Sequence, residues 1–133
     1  MSKTMVPPSA MKAESIIIGT ILLNPDKYQE VAGFIPEEDV FYDDRHRLLW
    51  RKIGNMLKQG EIVDQITVVE NLTDEDSNYG LEAYYITGLT TDSIEKKNLL
   101  SYGQIVYKKY LMRKLIRETH HIQKNAYLAN GNA

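Results

Sequence analysis

Residues 37–50 read EEDVFYDDRHRLLW, a run that sets five carboxylates, two arginines and a histidine around the aromatic pair Phe41 and Tyr42. Two carboxylates held close together can serve as acid and base, and a larger set can hold a cation. Acidic residues also gather at the start of a helix, where unsatisfied N–H groups and the helix dipole favour negative charge. The residues after the run decide between these readings. His46, Leu49, Trp50, Ile53, Met56 and Leu57 fall at i, i+3, i+4, i+7, i+10 and i+11, which is one apolar stripe, and Gly60 stands just past its end as a left-handed terminator should. Asp43 or Asp44 serves as N-cap, and Phe41 or Tyr42 packs back as a staple. Phe41, Tyr42, Asp43, His46, Leu49, Trp50 and Ile53 are thus a structural core motif, and no catalytic residue is assigned. His46, on the apolar side, reads as a hydrogen-bonded core histidine.

Upstream, residues 1–12 form a flexible lead-in without an apolar face. The stretch AESIIIGTILL then spaces Ile17, Ile18, Ile21 and Leu22 as a helix does. Asn24 reads as the N-cap of a second helix with Pro25 as its first residue, and Leu23 and Tyr28 as its staple. Val31, Ala32 and Ile35 continue the buried side until Pro36. Downstream, EIVDQITVVENL is read as a helix through Ile66, Val69 and Leu72, capped by Asp64. TDEDSNYG reads as an acidic loop, and Leu81, Tyr84, Tyr85 and Gly88 as a short helix ending near Leu89. These elements make residues 13–92 a compact helical globule.

From residue 92 or 93 to about 130 the chain contains no proline and a single glycine, Gly103. That predicts one long helix over residues 93–133, with Tyr102, Ile105, Met112 and Ile116 on one stripe and Leu99, Val106, Tyr110 and Leu111 spread around the rest. A rod apolar on more than one side needs a second helix to cover it. From the stripe geometry, Tyr102, Ile105, Val106 and Leu111 are assigned to an inter-subunit contact. The fold class is all-α.

Several functions are excluded by what the sequence lacks. The 133 residues hold no cysteine and carry a net charge of −2, so disulfides, thiolate chemistry and nucleic-acid binding through bulk charge are set aside. No phosphate-binding loop, serine elbow or dinucleotide turn occurs. His120 and His121 are adjacent, point about 100° apart and cannot share a metal ion in the i, i+4 manner. No cofactor or metal is expected in this chain, and with no signal peptide or membrane span in the sequence the expectation is a cytoplasmic protein. One local asymmetry remains. Lys108 to Lys124 holds six basic residues against the single acid Glu118, a stretch that suits either a phosphate backbone or a solvated helix edge.

Four blocks carry a resemblance: AESIIIGTILLNP (13–25), EDVFYDDRHRLLW (38–50), GEIVDQITVVENL (60–72) and NLLSYGQIVYKKYLMRKLI (98–116). Together they resemble the N-terminal domain of the DnaB-type replicative DNA helicases of bacteria and their phages, with EDVFYDDRHRLLW the most specific. TTDSIEKKN (90–98) departs from the family's usual turn, so a different hinge into the long helix is expected. The resemblance implies a helical globule followed by a hairpin arm, of which this chain supplies the first helix and ends where the family turns back. It further implies self-association as dimers, with a trimer of dimers in the full-length helicase. It also implies docking of the primase C-terminal domain and of helicase loader proteins, contact with DNA only indirectly, and ATP and Mg confined to a separate motor domain. The function expected is therefore a non-catalytic assembly and docking module. The alternatives are a free-standing adaptor or inhibitor that mimics the helicase collar, and a nucleic-acid-binding module using residues 108–124.

Overall fold

The computed structural model describes residues 5–93 and 98–131. Among them are seven α-helices, a 3-10 turn and no strand: α1 (Met11–Leu23), α2 (Lys27–Ala32), the turn Glu38–Val40, α3 (Asp44–Lys58), α4 (Gln65–Glu70), α5 (Asp74–Asn78), α6 (Ala83–Ser93) and α7 (Leu99–Ala129). Helix α1 is central because it is apolar nearly all round. Ile16, Ile17, Ile18, Ile21 and Leu22 are all buried, and the helix meets α2, α3, α6 and α7. Gly19 permits a close approach to α6, since a Cβ there would collide with the Leu89 carbonyl and the Ser93 hydroxyl.

Helix α3 turns its stripe inward as the spacing predicts, burying His46, Leu49, Trp50, Ile53 and Met56. Asp43 is its N-cap and accepts from the Arg45 backbone N–H at 2.8 Å. Its other end closes as a Schellman motif: the Gly60 N–H donates to the Leu57 carbonyl at 3.1 Å and the Glu61 N–H to the Met56 carbonyl at 2.9 Å, with Gly60 at φ +76°, a region closed to most other residues. Trp50 stacks on Tyr28 with ring centres 4.4 Å apart and tilts against Phe41 at 5.5 Å. Tyr28 is therefore held by the tryptophan, while Leu23, its expected staple partner, is half exposed. Asn24 does not cap α2 through its side chain. Its carbonyl instead accepts from the Lys27 N–H at 3.0 Å, so the turn is closed by backbone alone.

Four further elements differ from the sequence reading. The acidic stretch after Leu72 is not all loop, because Thr73 and Asp76 form a reciprocal capping box that starts α5. The Asp76 N–H donates to Thr73 Oγ1 at 3.2 Å and the Thr73 N–H to Asp76 Oδ2 at 2.8 Å, and Lys52 pairs with Asp76 at 3.1 Å. Helix α4 is present and carries an Asp64 to Thr67 capping box, but it faces inward through Val68, whereas Ile66 is 74% exposed. Helix α6 runs on to Ser93 and buries Ile86, Leu89, Thr90 and Ser93. The last two are tolerated inside because their hydroxyls donate back to the Thr87 and Leu89 carbonyls at 2.9 and 2.8 Å, which satisfies them locally. The long helix begins at Leu99, not at residue 92 or 93, and residues 94–97 of the expected hinge lie outside the described residues. Its 31 residues span about 46 Å.

Candidate functional site

The opening acidic run is dispersed into structural contacts. Its organiser is Glu14 on α1, a buried carboxylate that accepts from the backbone N–H groups of Tyr42 at 2.7 Å and Asp43 at 3.2 Å and from His46 Nδ1 at 2.8 Å. Both ring nitrogens are thereby engaged, since Nε2 stands 2.5 Å from the Tyr85 hydroxyl. The Arg45 guanidinium lies 3.8 Å over the Tyr85 ring and forks onto Asp43 at 3.0 and 2.7 Å. Burial works to raise the Asp43 carboxyl, but the hydrogen bonds and the charge of Arg45 outweigh it and hold the group below its ordinary value. Glu38 pairs with Arg51, whose hydrogen bond lowers its pKa. Asp44 pairs with Arg47, and Glu37 accepts from the Tyr110 hydroxyl at 3.1 Å. With His46 sealed from solvent, this network fixes the start of α3 and joins it to α1 and α6. Among the described residues no group of three or more potential ligands could hold a metal ion, and no helix is long and apolar enough to cross a membrane. His120 and His121 lie on the exposed part of α7.

The surface available to other molecules is on α7. Its first half docks on the globule through Leu99, Gly103, Val106 and Tyr110, with Gly103 seated so closely under Phe34 that a Cβ would overlap the ring. From Lys114 to Gly131 every residue is exposed, so the helix projects as an arm. The four residues assigned to the inter-subunit contact separate here. Ile105 and Leu111 are exposed, and Tyr102 packs partly against the core. Val106 is a correction: it is fully buried inside the globule, on the side of α7 that meets α1, and presents nothing to a second chain. The sequence showed apolar residues on several sides of the rod but not which side the globule would take.

Once that side is taken, a second pattern stands out on the opposite one. Ile105, Met112, Thr119 and Ala126 recur every seven residues, and Lys108, Leu115, Ile122 and Ala129 do the same three residues later. This is the a and d spacing of a helix seam. Leu111 and Ile116 flank it, and Ile105, Leu111, Met112, Leu115, Ile116 and Ile122 are all exposed. A groove of about 450 Å³ between Phe34, Pro36, Gly103, Tyr107 and Leu111 carries the apolar surface from the arm onto the globule. The basic residues Arg113, Arg117 and Lys124 occupy the other side of the helix, by their i, i+4 and i+11 spacing. Arg113 donates to the carbonyls of Pro8 at 2.8 Å and Val40 at 2.9 Å.

Comparison with known proteins agrees with this architecture. The family model described as DnaB-like helicase N terminal domain matches residues 6–108. The crystal structure of the N-terminal domain of DnaB helicase from Mycobacterium tuberculosis superposes with a TM-score of 0.86 at 25% identity, covering 96% of this chain and 91% of that one. Among curated proteins, the replicative DNA helicase DnaB of Pasteurella multocida is 26% identical over 132 residues, 98% of this chain and 28% of the relative. That of Rickettsia conorii is 31% identical over 121 residues, 90% of this chain and 24% of the relative. The chain thus spans about a quarter of the length of these relatives.

Proposed function

The chain belongs to the DnaB-like helicase N-terminal domain family, and from that premise we propose that it is an assembly and docking module of a replicative helicase, without catalysis of its own. The observation that carries this reading is the unpartnered seam on the arm. Exposed apolar side chains in register over about five turns mark an interaction surface, and a second helix laid along them would bury them as knobs in holes. Self-association into dimers, and a trimer of dimers in a full-length helicase, is the assembly this implies. The collar so formed is the docking surface for a primase C-terminal domain and a helicase loader, with DNA contacted only indirectly and ATP and Mg handled by a separate motor domain. The dispersal of the acidic run into caps and ion pairs supports the absence of catalysis. Against the nucleic-acid-binding alternative stands Arg113, which is engaged by two backbone carbonyls and so is less free to track a phosphate backbone.

The test uses residues that are exposed, so that the globule is left alone. Ile105→Glu combined with Leu115→Glu is expected to lower the mass measured by multi-angle light scattering across a concentration series, while circular dichroism and the melting temperature stay as in the wild type. An unchanged mass at every concentration overturns the seam as the assembly contact.

A further inference from the structure

Where the arm leaves the globule, α7 and the start of α3 enclose a cleft of about 820 Å³, the size of sites that take a small molecule or a short peptide. Four arginines line it, but they are unequally matched. Arg45 is forked onto Asp43 and Arg47 is paired with Asp44. Among the described residues neither Arg113 nor Arg117 has a carboxylate within 4.0 Å. Arg113 is half-buried, and burial pulls its pKa down from the ordinary value. Its partners in the protein are two neutral carbonyls and the faces of Tyr42 and Tyr110, 5.3 and 5.9 Å from the guanidinium. Since a guanidinium carries five N–H donors, donors remain for an anion. Arg117 lies one helical turn further on the same side of α7 and lines the same cleft.

The rest of the lining says which anion fits. Asp39, Asp43 and Asp44 border the cleft too, so a polyphosphate chain would run past three like charges, whereas one carboxylate seated between the two unmatched arginines would not. Pro7, Met11 and Ile116 complete the wall and supply apolar contact beside the cations. We propose that this elbow cleft binds an acidic segment of a partner protein, one carboxylate held between Arg113 and Arg117 and a neighbouring apolar side chain resting on Met11 and Ile116. The site's two arginines lie roughly half a turn around α7 from the heptad seam, and of the α7 residues lining the cleft only Ile116 borders that seam. The site therefore stands or falls separately from the assembly reading, and Ile105→Glu with Leu115→Glu should leave it intact.

The experiment is to pan a displayed library of random heptapeptides against the immobilised full chain and to measure the selected peptides by fluorescence anisotropy. Enrichment of Asp or Glu next to Leu, Ile or Phe is expected. Binding should fall about tenfold or more, as loss of a charge-assisted contact implies, both in Arg117→Glu and when the peptide's acids become amides. Arg117 is exposed, so its variant should melt like the wild type, which keeps the comparison clean where Arg113→Gln would disturb the contacts to Pro8 and Val40. No enrichment over the bare matrix overturns the proposal, as does binding indifferent to Arg117→Glu or to the amide peptide. Displacement of the peptide by a twelve-nucleotide oligothymidylate, with steep salt dependence, would assign the cleft to nucleic acid and overturn it equally.

Discussion

Three donors converge on one buried carboxylate: the backbone N–H groups of Tyr42 and Asp43 and the imidazole of His46 all end on Glu14. The residue does for the chain entering α3 what a cap does within a helix, but from another element. Deleting it strands a buried and a part-buried amide donor and one buried ring nitrogen, each with a desolvation cost of up to about 1–3 kcal/mol. Glu14→Ala is therefore expected to lose about 3 kcal/mol or more in urea unfolding, and Glu14→Gln, which keeps an acceptor oxygen, to lose less. Equal losses would show that the charge and not the acceptor matters. His46 was legible as a core histidine because it sits on an apolar stripe. Its partner was not, because a lone acid early in a helix looks like ordinary dipole complementarity and nothing local shows that its oxygens reach residues 28 and 29 positions away.

Elements with a strong period were legible, and those that depend on local hydrogen bonding were not. Helices α1 and α3 can be read from spacing, since many apolar side chains vote for one side. Helix α5 has no apolar side to read and exists through the Thr73 and Asp76 exchange. The last turn of α6 is polar in sequence yet buried, because Thr90 and Ser93 satisfy their own hydroxyls. The rotation of α7 about its axis was equally hidden, being set by Phe34 closing over Gly103. That contact gives a test at this scale. Gly103→Ala should overpack the joint and cost about 1–3 kcal/mol in thermal or chemical unfolding, and adding Phe34→Ala should return part of the loss if the ring is what the methyl meets. A fully additive pair would deny the contact.

At the scale of the molecule, two regions differ in what holds them. The globule is packed from several sides, while Lys114 to Gly131 touches nothing that buries it. Helices in proteins draw most of their stability from a packed face, and this stretch has none within the chain, so its persistence depends on company. Hydrogen exchange should therefore be fast for amides of residues 114–129 in dilute solution, and it should slow with rising protein concentration while the rates in α1 stay constant. Fast exchange at every concentration would mean that no copy of the chain settles on the arm.

The seam also carries a mark part-way along. Thr119 interrupts an otherwise hydrocarbon row between Met112 and Ala126, with Leu115 and Ile122 on either side. A smooth row would let a neighbouring helix slide and lock at any heptad, whereas a single hydroxyl makes one alignment cheaper than its shifted copies. For a helix laid along it the arm would act as a graduated rule: the apolar rows would supply adhesion, and the polar notches at Lys108 and Thr119 would mark where zero is.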